Sequence, residues 1–80
     1  MSTMAEIGIQ ILHALQDAIL AGRQLQDARE FVIEQFQLVH PGWDKTFIEQ
    51  SVQAVIDHPE YFNGDPNALH VRPRMPRRRL

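Results

Sequence analysis

The sequence predicts an all-α fold: a compact three-helix bundle over residues 1–62, followed by an extended, disordered basic tail over 63–80. Three observations carry this. Apolar residues recur at helical spacing in three separate segments. Each segment is followed by a stop, at Gly22, His40-Pro41 and His58-Pro59. Beyond Phe62, turn formers give way to prolines and arginines.

The first helix is expected over about 4–21. Thr3 and Glu6 have the spacing of a capping box, in which each side chain satisfies the other's backbone N–H. Met4, Ile7, Ile11, Leu15, Ala18 and Ile19 then follow at helical spacing, and Gly22 suits a left-handed stop. Ile9, Leu12 and Leu20 widen the apolar surface, while Gly8 weakens the helix slightly. A helix this apolar is either central in the bundle or shared with a second copy, so a homodimer is one expectation.

The second helix is expected over about 25–40, with Asp27 and Glu30 offering an alternative capping box and a start at Ala28. Ala28, Phe31, Val32, Phe36 and Val39 build its inner face, with Leu38 at the edge. Pro41 disfavours helical geometry at His40 and ends it. The third helix, about 45–57, is capped by Asp44, and Trp43 and Ile48 have the spacing of a hydrophobic staple. Phe47, Ile48, Val52, Val55 and Ile56 are its expected buried face. Tyr61 and Phe62 add a short turn back onto the core. Ile33-Glu34-Gln35 recurs as Ile48-Glu49-Gln50, and both helices end in His-Pro. The spacings differ, so this reads as shared helix grammar and not a duplicated unit.

The tail contains two further prolines that lack backbone donors, and like charges that repel, which rules out a helix or central strand there. Formal net charge is −2, but its layout is uneven. Residues 1–69 hold all ten acids against Arg23, Arg29 and Lys45, a charge of −7. Residues 70–80 hold five arginines and no acid, a charge of +5.

Composition excludes several chemistries. Without cysteine there is no disulfide scaffold, thiolate zinc site or cysteine nucleophile. No apolar run approaches the ~20 residues of a membrane span. No basic segment leads into an apolar stretch at the N-terminus, so a cytoplasmic location without membrane partners is expected. The histidines His13, His40, His58 and His70 show no dense ligand spacing, and no metal site or cofactor is expected. The hydroxyl residues Ser2, Thr3, Thr46, Ser51 and Tyr61 include no glycine-elbow nucleophile. With only 80 residues to build a supported cleft, a non-enzymatic role is the expectation.

The leading functional expectation is a small protein-interaction module, a regulator or stoichiometric inhibitor whose acidic body docks on a protein partner. Trp43, Tyr61, Glu30, Glu34 and Glu49 are the candidate contacts. Arg72, Arg74, Arg77, Arg78 and Arg79 would add contacts to an acidic surface or to phosphate, since each guanidinium pairs bidentately with such groups. Two alternatives stand beside it. One is a nucleic-acid-binding accessory protein acting electrostatically through the arginine tail, which has no aromatic residue for base stacking. The other, by analogy of size and charge, is a phage or mobile-element inhibitor plugging a host nucleic-acid-binding groove. A helix-turn-helix reading of the second and third helices is opposed by Asp44, Glu49 and Asp57 on the would-be recognition helix. Pro73-Arg74-Met75-Pro76-Arg77-Arg78 also fits the P-x-x-P-x-R pattern of SH3 ligands, a short pattern common by chance in such tails.

Overall fold

The structure is a computed structural model and describes residues 4–70. It is all-helical, with three main helices: α1 (Met4–Leu20), α2 (Leu25–Val39) and α3 (Lys45–Asp57). A single turn, α4 (Glu60–Asn63), comes after them. Short links at 21–24 and 40–44 fold neighbouring helices back on one another.

α1 is the centre of the molecule. It packs against α2, α3 and α4, which together take up most of its apolar surface, Ile9 staying exposed. Ile11, Leu12 and Leu15 are almost wholly buried and meet Val32 from α2 and Ile48, Val52 and Val55 from α3. Ile33, not among the residues expected on the inner face, is buried as well. Thr3 of the expected capping box lies outside the described residues; Glu6 sits in the first turn, where an acid suits the helix dipole.

At the other end, Gly22 takes φ 107°, the left-handed region that a glycine enters without steric cost. Its N–H donates to the Ile19 carbonyl (2.9 Å) and the Arg23 N–H to the Ala18 carbonyl (3.1 Å). This pair of bonds is a Schellman stop.

Only Arg23 and Gln24 then remain before α2, and the helix begins at Leu25. The alternative start at Ala28, with its Asp27–Glu30 box, is therefore corrected. Gln24 holds the cap position in an extended conformation without a side-chain cap bond. Asp27 lies in the first turn and accepts from Arg23 Nη1 at 3.0 Å.

Asp44 caps α3 as expected, accepting from the Thr46 N–H at 3.2 Å. Between α2 and α3, Arg29 Nε donates to Gln53 Oε1, and Gln53 Nε2 donates to Asp57 Oδ1, each at 3.0 Å. One inner-face assignment is corrected. Val39 is 68% exposed, because it is the last residue of α2 and the chain turns away at His40.

The larger correction concerns the assignment of 63–80 to one flexible tail. Residues 63–70 instead form successive turns that return to the bundle. Gly64 ends α4 in the left-handed region. Asn63 Oδ1 then accepts from the Asp65 N–H, and Asp65 Oδ1 from the Asn67 N–H. These turns bring Ala68 into the core at 3% exposure, with Leu69 packed beside it. Gln16 Nε2 closes the wrap by donating to the Ala68 carbonyl at 2.8 Å. The physical reason is that the turn formers direct the chain back, which lets apolar Ala68 and Leu69 join the core. The basic residues 71–80 lie outside the described residues.

Candidate functional site

The acidic residues singled out from sequence converge. Asp27, Glu30 and Glu34 from α2 and Glu49 from α3 line one open groove, with Phe31 and Ile33 contributing apolar wall. Helical spacing explains the α2 contribution, since residues three and four apart share a face. Antiparallel packing of α3 supplies Glu49 from the other side. Four carboxylates face two cations, Arg23 and Lys45. Arg23 is already engaged: its guanidinium pairs with Asp27 at 3.0 Å and lies 4.1 Å over the Phe31 ring centroid. Glu30 is engaged as well, by Arg29 Nη1 at 3.3 Å, which leaves Glu34 and Glu49 as the carboxylates of the strip without an ion pair among the described residues, beside the aromatic Phe31. Asp27, Phe31 and Arg23 were not singled out as contacts, although the Arg23/Asp27 spacing of four residues is a readable signal.

Trp43 and Tyr61 do not form the joint patch expected of them. They lie on either side of α3, whose 13 residues measure about 20 Å. Each belongs instead to its own copy of one local turn. His40 and His58 are the C-caps of α2 and α3, with nearly the same backbone angles: φ −125°, ψ 69° and φ −139°, ψ 64°. Each histidine is followed by a proline, and an aromatic residue stands three positions after it. The Trp43 N–H donates to the His40 carbonyl at 3.0 Å, and the Tyr61 N–H to the His58 carbonyl at 3.1 Å. Both aromatic rings stack on their histidine, at 3.7 Å and 5° for Trp43 and at 4.8 Å and 13° for Tyr61. The shared His-Pro pointed to this repeat; the aromatic three positions on completes the signal.

The two turns differ in surroundings. Trp43 is half-buried, meets Phe47 edge-on at 5.6 Å and packs on the core. Tyr61 is 73% exposed. Its neighbour Phe62 is the inward member of α4, with its ring lying where a side chain on Gly8 would be. That close approach is what a glycine in the second turn of α1 provides.

Leu38 and Val39 add exposed apolar surface at the end of α2. Val39, Phe36 and His40 border a small cleft with Gln10 and Gln35, and no charged residue lines it. Arg72, Arg74, Arg77, Arg78 and Arg79 lie outside the described residues. Among the described residues no three histidine or carboxylate groups gather as a metal site, and no helix is long and apolar enough to cross a membrane. Comparison with protein-family models, curated proteins and solved structures finds no match to this chain, so its reading rests on its own residues.

Proposed function

We propose that this chain is a non-enzymatic protein-interaction module, a regulator or stoichiometric inhibitor, whose acidic helical body docks on a basic surface of a protein partner. The observation that supports it most is the convergence of Glu30, Glu34 and Glu49, with Asp27, along the α2–α3 groove. A basic groove on a partner, including one that ordinarily takes nucleic acid, complements that strip in sign. Electrostatic complementarity of this kind raises the association rate and rejects like-charged surfaces. Half-buried Trp43, at the turn between the same two helices, is the candidate aromatic anchor. The arginines of 72–79 then reach an acidic surface or phosphate on the same assembly.

The test is capture of a partner by the full chain and by Glu30→Gln/Glu34→Gln/Glu49→Gln. A stoichiometric protein complex that survives nuclease and weakens in the triple variant supports the reading. Equal capture by both chains sinks it.

A second reading is favoured by one specific observation, the five arginines without an acid in residues 70–80. It makes the chain an accessory protein that binds nucleic acid through the tail. Its signature is affinity for RNA or DNA that falls steeply with salt, is lost on replacing the arginines, and is indifferent to the groove glutamates.

A further inference from the structure

The turns of 63–70 border a second surface, at the opposite end of α2 from Trp43. Leu25, 41% exposed, lines an apolar cleft there with Ile56, Pro59 and Leu69, and Asp57 and Glu60 supply carboxylates to it. Asp57 Oδ1 accepts from Gln53, and Glu60 Oε2 faces His58 Nδ1 at 3.4 Å. The second oxygen of each acid has no partner among the described residues. His70, the last described residue, lines this same cleft.

The residues after His70 match the cleft in character. From Leu69 the chain reads Leu69-His70-Val71-Arg72-Pro73-Arg74-Met75, apolar at every second position. An extended segment sends alternate side chains to opposite sides. Leu69 already packs against the core. An extended continuation would put Val71, Pro73 and Met75 on one side and Arg72 and Arg74 on the other.

We propose that the cleft is the docking site of this chain's own residues Val71–Met75. Val71, Pro73 and Met75 would cover Leu25, Ile56 and Pro59, and the long side chains of Arg72 and Arg74, on the outer side, would reach over the edge of the cleft to Asp57 and Glu60. Pro73 suits the arrangement, because side chains and not a backbone ladder make the contact. The alternation breaks at Pro76-Arg77, so Arg77, Arg78 and Arg79 lie past the docked stretch. Docking divides the arginines into two that neutralise the body and three that serve an outside partner. The docking of Val71–Met75 does not depend on the groove reading, since it involves no second molecule; it leaves Arg77, Arg78 and Arg79 as the arginines open to a partner.

Because the chain has no cysteine, Pro76→Cys takes a single nitroxide label outside the docked residues. In the isotope-labelled full chain, loss of amide signal is expected to concentrate on Leu25, Ile56, Asp57 and Glu60. Adding Val71→Ser and Met75→Ser is expected to disperse that loss, and Asp57→Asn/Glu60→Gln or added salt to weaken it. Signal loss centred on Glu30, Glu34 and Glu49, or spread evenly over the body, overturns the proposal. So does equal loss when the spin label and the isotope are on different chains of a mixture, which would place the segment on a second copy.

Discussion

The indole of Trp43 lies flat on the imidazole of His40, with ring centroids 3.7 Å apart and planes within 5°. Pro41 fixes the backbone between them, and the Trp43 N–H bonds back to the His40 carbonyl. The rings are thus stacked by the turn itself, and the stack covers the end of α2. His40→Ala keeps the turn's backbone bond and removes the stack. A loss of about 0.5–1.5 kcal/mol is expected, with Trp43 emission moving to longer wavelength in the folded state. His58→Ala, whose partner Tyr61 is mostly exposed, should cost less. Urea unfolding of the two variants side by side checks the order.

Gly8 gives a prediction whose sign depends on a partner. In an open helix, Gly→Ala stabilises by about 1 kcal/mol. Here the Phe62 ring occupies the place of the new methyl, so Gly8→Ala is expected to destabilise. In a Phe62→Ala background the same substitution should recover the ordinary gain. A double-mutant cycle on thermal unfolding reads this directly, and additivity of the two changes would refute the contact.

The Gln16–Ala68 bond joins residues 52 apart in sequence. Gln16→Ala leaves the Ala68 carbonyl without that donor, at a cost of about 1 kcal/mol, rising toward ~3 kcal/mol if water stays out. Hydrogen exchange separates this from a general loss of stability. The Ala68 and His70 amides, bonded to Asp65 and Asn67, should lose protection before the amides of α1 to α3 do.

The two cap positions should respond in opposite directions. Asp44 makes a side-chain cap bond, so Asp44→Ala is expected to cost about 1 kcal/mol. Gln24 makes none although its backbone is already extended, so Gln24→Ser is expected to gain up to about 1 kcal/mol. Denaturant midpoints at constant slope measure both.

Much of the bundle was legible because local rules agree with the packing. Gly22, Asp44 and the two His-Pro pairs mark ends that the structure places within a residue. The buried residues of α1 follow its helical period, and Leu12 joins them. Where the reading failed, the cause was not local. Val39 has the right phase for the core, but periodicity does not say how far a neighbouring helix extends. Ala68 and Phe62 are held by Gln16 and Gly8, more than 50 positions away, and no window of sequence contains both partners. At the candidate site, helical spacing placed Glu30 and Glu34 together, and only the α2–α3 packing added Glu49. Trp43 and Tyr61 were grouped by residue type, and the length of α3 separates them.

The seat of Ala68 also sets a length scale for the arginines. Had the chain left the body at Phe62, the eighteen residues of 63–80 would reach at most about 60 Å. Leaving from His70, ten residues reach at most about 35 Å. The volume within reach of a tether grows as the cube of its length, so this anchor sets an upper bound on the space open to the arginines that is roughly fivefold smaller. Gln16, in the middle of α1 and carrying no charge, thereby helps to set how far from the body the arginines can reach.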